Sequence, residues 1–427
     1  MKILVVAYKF GSEEEIGRHL GTYHYFIEMT RRLKRNGHDV VVVAPWLTFW
    51  KRGSGAVDGV KIFRYYPPLW NSAKWFFLSR PLRRWYLVAT KRAVLRLDGR
   101  EKWDAILVWQ ARETGYAVSQ ISSRLRAPFI FRQITAWRWH VGRGPEEVFG
   151  RRQWYRVVAA FGLARVFEPA LQWGLDRKNQ KKFANRIYKA AAKILFVSRA
   201  AAEAEALEEN FRSKITVWPV AIEADLFAPR GDREYWRKSL NVRGEKTLLF
   251  IGRINFAEKG IGYLLEAMPE IIKAVDGVNL VVIGGGGESE RMNTLVKKLN
   301  IEGNVQLVGR QPFEKLADYL QTADALVVPS TWVEHFGQVT IEAMAVGVPV
   351  ITTNIGGSPE INLHNQTGLV IPAADSVALA RAAIQLLSDE TGRFQMGTAA
   401  RKRVLENYTY EVLTKQLEEI IKGPRNE

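Results

Sequence analysis

The chain opens on Met1-Lys2-Ile3-Leu4-Val5-Val6-Ala7, an unbroken apolar run that gives way to a polar loop. A short continuous run of this kind reads as a strand covered on both faces. From about Thr22 to Lys34 the apolar positions recur at helical spacing, and Gly37-His38 ends them. Asp39-Val40-Val41-Val42-Val43-Ala44-Pro45 is then a second apolar strand. Strand, helix, strand implies a parallel sheet, because parallel neighbours need a crossover connection. The rhythm recurs at 105–109, 129–133, 193–198 and 215–219. It restarts at 247–252 and continues at 278–284, 305–309, 325–329 and 349–353, with helical segments between. The economical reading is an α/β chain with two doubly wound, Rossmann-like units.

The predicted boundary lies in the polar stretch 222–246, which contains Pro229, Gly231 and Gly244. This gives a first domain over 1–225, a second over 246–400, and a final segment over 401–427. The last segment reads as a helix from the spacing of Val404, Tyr408, Val412, Leu413, Leu417 and Ile421. Two stretches, 46–95 and 137–186, break the rhythm. Both interleave aromatic and basic positions and read as containing amphipathic helices.

Charge sharpens the division. The chain of 427 residues has a formal net charge of +18. Residues 1–250 hold 46 basic and 23 acidic side chains, and 251–427 hold 16 and 21. Of the 14 tryptophans, 13 precede residue 251, Trp332 being the exception. A basic, Trp-rich first half meets nucleic acid, an anionic membrane surface or an anionic ligand. Cysteine is absent, which excludes disulfides and thiolate metal sites and fits a reducing cytoplasm. No run approaches ~18 apolar residues, so no transmembrane helix is expected, and the opening run is too short for a signal peptide.

The richest candidate chemistry lies between Pro329 and Val350. A strand ends at Pro329, a loop carries Glu334, and a helix begins near Gly337 and stops at Gly347. That places a helix N-terminus at the carboxyl end of a parallel strand, where free N–H groups at Gly337, Gln338 and Val339 suit a diphosphate. Glu342, one turn into the helix, can take a ribose diol, and Glu334 can take sugar hydroxyls, since a carboxylate offers two acceptor oxygens. The plain alternative makes Glu342 a partner of the helix dipole and Glu334 a solvated loop residue. A second strand-to-helix loop, Gly252-Arg253-Ile254-Asn255-Phe256-Ala257-Glu258-Lys259-Gly260, brings Arg253 and Lys259 to the same sheet edge. Cations there suit a departing diphosphate, although a surface Arg and Lys would look the same. Val281-Val282-Ile283-Gly284-Gly285-Gly286 is a strand running into a glycine loop, a weak phosphate signal by itself. The sequence contains no Asp-x-Asp and no histidine cluster, so neither a metal nor another cofactor is indicated.

In this order the pieces resemble the retaining GT-B glycosyltransferases of family 4, the glycosyl transferases group 1. The likeness covers 247–375 and includes the Gly-Arg to Lys-Gly loop, Val281–Gly286, Asn304-Val305-Gln306-Leu307-Val308-Gly309, the Thr322–Ser330 strand, the Glu334-x7-Glu342 block, Gly347-Val348-Pro349-Val350, Gly356-Gly357 and Thr367-Gly368-Leu369-Val370. The resemblance implies two Rossmann-like domains facing a central cleft, with the last helix crossing back to the first. It implies that Arg253 and Lys259 hold the donor diphosphate, Glu334 the transferred sugar and Glu342 the ribose. Gly252, Gly284, Gly285, Phe336, Gly337, Gln338 and Val339 would line phosphate and sugar, and Gly309 and Arg310 the base. Gly21 falls where the family has the second of two glycines near the phosphate, with Leu20 at the first. Many members carry His-Gly where this chain has Arg132-Gln133-Ile134-Thr135. Gln133 and Thr135 become the acceptor-side candidates, and any copied catalytic assignment weakens there.

The activity implied is metal-independent, configuration-retaining transfer of a hexose from a nucleotide-diphosphate sugar. The acceptor expected is a saccharide or a lipid-linked hydroxyl, in surface-polysaccharide or glycolipid synthesis. The expected setting is cytoplasmic, peripheral on the inner face of the cell membrane, with no nucleic-acid partner. Two other readings compete: a catalytically inactive protein of this fold, and a basic nucleic-acid-binding protein.

Overall fold

The computed structural model describes residues 1–16, 20–68, 76–109, 112–134, 177–205 and 209–423. The chain divides into two compact units. Unit 1 is Met1–Val197, Ala201–Trp218 and Thr414–Glu427; unit 2 is Ser198–Ala200 and Pro219–Leu413.

Unit 1 is built on eight strands: β1 (Lys2–Ala7), β2 (Asp39–Pro45), β3 (Ala56–Val57), β4 (Val60–Tyr65), β5 (Ala105–Trp109), β6 (Phe129–Gln133), β7 (Lys193–Phe196) and β8 (Ile215–Val217). Their order is β3-β4-β2-β1-β5-β6-β7-β8. All pairs are parallel except β3 with β4. Val5 lies between Val42 and Leu107 in register, so the central strands bury Val, Ile and Leu on both faces. Among its helices are α1 (Leu20–Arg35), α2 (Phe76–Arg100) and α3 (Arg177–Ala190).

The 46–95 stretch holds more than a helix. Before α2 it contributes β3 and β4, which extend the sheet at one edge. Hydropathy hides β4 because Arg64 stands at an inward position. Its guanidinium is buried and donates to the Ser54 and Pro45 carbonyls at 3.0 and 3.3 Å. Most of 137–186 falls outside the described residues.

Unit 2 has six strands, β9 (Lys246–Ile251), β10 (Val278–Ile283), β11 (Val305–Gly309), β12 (Ala325–Val328), β13 (Val350–Thr353) and β14 (Gly368–Ile371). Every pair is parallel, in the order β11-β10-β9-β12-β13-β14. Counted from β9 this is the doubly wound order 3-2-1-4-5-6 of dinucleotide-binding folds. Helix α4 (Ile261–Ala274) turns Ile261, Leu264, Leu265, Met268 and Ile271 onto Leu248, Leu280 and Val282. Helices α5 (Gln338–Val346), α6 (Ser376–Ser388) and α7 (Glu390–Asn407) complete the layers. At the amino end of β12, Asp324 accepts from Arg233, Arg393 and the Thr247 amide, so this acid ties strands together from below.

The final helix, α8 (Tyr410–Lys422), belongs to unit 1 from Thr414 onward. Glu418 lies 2.8 Å from His38 Nε2, and the Thr414 hydroxyl donates to Met29 Sδ at 3.2 Å. His38 thus has a structural partner.

Candidate functional site

Strand order in unit 2 reverses between β9 and β12. The crevice beyond the carboxyl ends of such a pair is where open α/β sheets bind ligands. Three layers of sequence build it here.

The first is backbone on backbone. The Gly252 amide donates to the Ile283 carbonyl at 2.9 Å, and the Gly284 amide to Gly309 at 2.8 Å. Gly284 has φ +146°, and a Cβ there would lie 1.8 Å from the Gly252 carbonyl oxygen. Only glycine permits that approach. The loops after β9, β10 and β11 are therefore stitched together, and Gly285 lies against the side chain of the exposed Arg310.

The second layer positions charge. Asn255 caps the short helix Phe256–Lys259 by accepting from the Glu258 amide at 2.8 Å. Gly260 ends the helix at φ +63°, so close to β12 that a Cβ would sit 1.9 Å from the Pro329 oxygen. Lys259 is thereby delivered to the end of β12, where its Nζ pairs with the Glu334 carboxylate. The Ser330 hydroxyl donates to the same Glu334 oxygen at 2.8 Å, and the Thr353 hydroxyl donates to the Ser330 carbonyl at 2.7 Å. Arg253 pairs with Glu258 at 2.7 Å, and its side chain remains 65% exposed.

The third layer is the entry to α5. The Glu334 carbonyl accepts from the Gly357 amide at 2.8 Å, and the His335 carbonyl from the Ser198 hydroxyl at 2.7 Å. Phe336 is buried edge-on against Tyr408, with centroids 5.8 Å apart. Gly337 caps α5 at φ +94° with no side chain bonded to the first turn. Its amino end, with Gln338 and Val339 leading, therefore keeps its dipole for an anion. Glu342 is buried in this helix, and burial pushes its carboxyl up to about 7, with a hydrogen bond from Gln338 pulling the other way. Glu342 Oε2 and Thr340 Oγ1 are buried with no hydrogen-bond partner among the described residues. Orphaned buried oxygens are uncommon, and each calls for an explanation such as a ligand.

The structure thus brings Lys259 and Glu334 into contact, pairs Arg253 with Glu258, the residue before Lys259, and groups Gly252, Gly284, Gly285, Gly309 and Arg310 at the neighbouring strand ends. Phe336, Gly337, Gln338, Val339 and Glu342 share the entry to α5. Gly21 lies in the first turn of α1, in unit 1. Gln133, also in unit 1, is buried: it accepts from the Tyr188 hydroxyl at 2.6 Å and donates to Glu205 at 3.2 Å. Thr135 is outside the described residues.

Sequence reading passed over Ser330 and Thr353, whose only signal is a hydroxyl at or just past a strand end, and Thr340, in the first turn of α5. It also passed over Arg132. This arginine is fully buried, lies 4.6 Å from the Trp218 ring centre, and donates to the Trp218 carbonyl and to Tyr25 Oη.

Comparison with known proteins bears on the family and the fold. Residues 232–403 match the family described as glycosyl transferases group 1. The match lies within unit 2, and the fold of the chain is GT-B. It is 32% identical over 212 residues to a GDP-mannose-dependent alpha-(1-6)-phosphatidylinositol monomannoside mannosyltransferase of Mycobacterium tuberculosis, covering 48% of this chain and 55% of that protein. It is 38% identical over 177 residues to N-acetyl-alpha-D-glucosaminyl L-malate synthase of Bacillus anthracis, covering 41% and 45%. The chain spans about half the length of the curated relatives it matches. Among solved structures, sucrose-phosphate synthase of Thermosynechococcus elongatus superposes with a TM-score of 0.72 at 20% identity, covering 99% of this chain and 98% of the other. Anabaena HepE in complex with UDP gives 0.68 at 17% identity, covering 99% and 100%.

Proposed function

We propose that this protein is a retaining, metal-independent glycosyltransferase that moves a hexose from a nucleotide-diphosphate sugar to an acceptor hydroxyl. One observation carries the reading: at the β9/β12 switch point a lysine and a glutamate meet beside a helix N-terminus with no side-chain cap, whose second turn buries a carboxylate with one unpartnered oxygen.

In this scheme the diphosphate lies at the start of α5, against the amides of Gln338 and Val339. Arg253 and Lys259 neutralise the charge that grows as the glycosidic bond breaks, so no metal is required for that step. Glu334 accepts from the hydroxyls of the sugar, and Ser330 and Lys259 hold it in place. Glu342 takes the ribose diol; hydroxyls donating to it favour its charged form and reverse the effect of burial. No protein nucleophile is assigned. The leaving phosphate oxygen receives the acceptor proton on the face it departs from, which keeps the anomeric configuration. The rest of the work is positioning.

The acceptor is a saccharide or a lipid-linked hydroxyl, consistent with the named lipid of the mycobacterial relative. The protein acts at an anionic membrane surface in glycolipid or surface-polysaccharide synthesis. Support comes from the basic first half and from Trp50, which is 94% exposed beside Lys51 and Arg52. No helix among the described residues is long and apolar enough to cross a membrane.

The test is thermal-shift screening against UDP, GDP and ADP sugars, followed by NMR of the product formed with the donor that binds. A ligand at a hundred times its Kd raises stability by about 2.7 kcal/mol. One donor should stabilise the protein and yield a product with the donor's anomeric configuration. An inverted product sinks the retaining assignment, and a flat response to every donor sinks the reading itself.

A further inference from the structure

Unit 1 contains a second concave site, between β4 and α2. It has a volume of about 320 Å³, and its lining includes Phe63, Tyr66, Trp85, Val88, Arg92 and Arg96. The last four fall at i, i+3, i+7 and i+11, so they form one stripe of α2. A stripe with Trp and Val in it ordinarily packs inward. Here Trp85 is 50% exposed and Val88 38%.

The walls are aromatic and fixed. Tyr66 stands edge-on to Trp85 at 5.3 Å, and Trp46 packs on Tyr66 at 5.0 Å. The Arg96 guanidinium lies 5.8 Å from the centre of the Phe63 ring. Both arginines are exposed, and among the described residues no carboxylate pairs with either. Elsewhere in the unit arginines do find acids: Arg31, Arg32 and Arg35 of α1 all gather on Glu28. Two like charges one turn apart on a helix repel, and an anion between them turns that repulsion into attraction.

The geometry points to a binding site for a phosphate carried on a sugar or polyol ring. Arg92 and Arg96 take the phosphate, because guanidinium forks match phosphate oxygens. Trp85 and Tyr66 take the ring, whose C–H face lies on their apolar surface while its hydroxyls stay in water. The volume is at the lower end of the range for ligand pockets, roughly 300–1,000 Å³, and suits one such unit. The same chemistry occurs in a phospholipid head group and in a free sugar phosphate. None of the residues assigned to nucleotide-sugar binding takes part, so this site stands apart from the transferase reading.

The full chain tests it in two arms. One is calorimetric titration with myo-inositol 1-phosphate. The other is flotation with phosphatidylcholine vesicles, with and without phosphatidylinositol. The wild type should bind in at least one arm. Arg92→Gln/Arg96→Gln should weaken that binding by about tenfold or more, and Trp85→Ala should weaken it severalfold. Raised ionic strength should weaken it as well. Nucleotide binding, measured in parallel, should not change in any variant. Binding to vesicles alone identifies a membrane head group as the source, and binding of the soluble phosphate identifies the ring phosphate itself. Absence of binding in both arms, or binding that the variants leave intact, overturns the site whatever becomes of the nucleotide-sugar assignment.

Discussion

The two sheets share a plan, and their carboxyl ends are used differently. In both, the order reverses beside the first strand, between β1 and β5 in unit 1 and between β9 and β12 in unit 2. In unit 2 the residues after those strands interlock through glycines, and they pair Lys259 with Glu334 in the loop that leads into α5, the helix that carries Glu342. In unit 1 the residues ending β6, Arg132 and Gln133, turn into the interior and bond to Trp218, Tyr25, Tyr188 and Glu205. One topology thus supports a site in one unit and internal bracing at β6 in the other. The fold supplies a place, and side chains decide what happens there.

Removing charge from unit 2 should break the contrast most. Lys259→Ala leaves Glu334 without its ion-pair partner and, on the proposed mechanism, deprives the leaving diphosphate of a cation. Steady-state assays should show kcat/KM down about a hundredfold to a thousandfold, with the fold intact. An effect under tenfold would make unit 2 resemble unit 1.

Gly284→Ala attacks the scaffold. Its Cβ meets the Gly252 carbonyl in a backbone region that L side chains rarely adopt. Denaturant unfolding should report a loss on the order of 4 kcal/mol.

Glu342 gives unit 2 a pH signature. Its folded-state pKa of about 7 lies above the ordinary 4.5. Below about pH 4.5 both folded and unfolded chains hold the proton, and the group is neutral for stability. As pH rises toward about 7 the unfolded chain releases it first, so stability falls. Above that the full penalty applies, on the order of 3 kcal/mol. Glu342→Gln should therefore match the wild type near pH 4 and exceed it in melting temperature at pH 8. A constant difference across that range would contradict the burial argument. Nucleotide binding should also release a proton near pH 7, readable as a buffer-dependent heat.

The smallest effect belongs to unit 1. Gln133→Ala removes the hydrogen bonds to the Tyr188 hydroxyl and to Glu205 and should cost about 1–2 kcal/mol. Donor affinity should be unchanged. A loss of donor affinity would return Gln133 to the functional side of the comparison.

What could be read in advance follows the same divide. The inner strands β9, β10 and β12 stand out by their apolar runs, because a parallel sheet covered on both faces admits little else, whereas the edge strand β11 is only partly covered. The glycine loops are legible for a stricter reason: Gly260 and Gly284 sit where a methyl group would strike a carbonyl oxygen, so sequence and backbone constrain each other. Strand β4 was hidden by Arg64, whose charge is met by carbonyls that no local pattern reveals. Ser330 and Thr353 brace Glu334 through contacts 4 and 23 residues apart in sequence, which no motif encodes. Arg132 stands in the predicted strand 129–133 with no local hint of its partner, the Trp218 carbonyl 86 residues on.

The most direct test is calorimetric titration of one nucleotide and its matching nucleotide sugar into wild type, Lys259→Ala and Glu334→Gln. Lys259→Ala should weaken both ligands by about tenfold or more, because it removes a diphosphate contact. Glu334→Gln should weaken the nucleotide sugar and spare the nucleotide. If the two variants bind both ligands as the wild type does, the crevice at β9 and β12 is not the donor site.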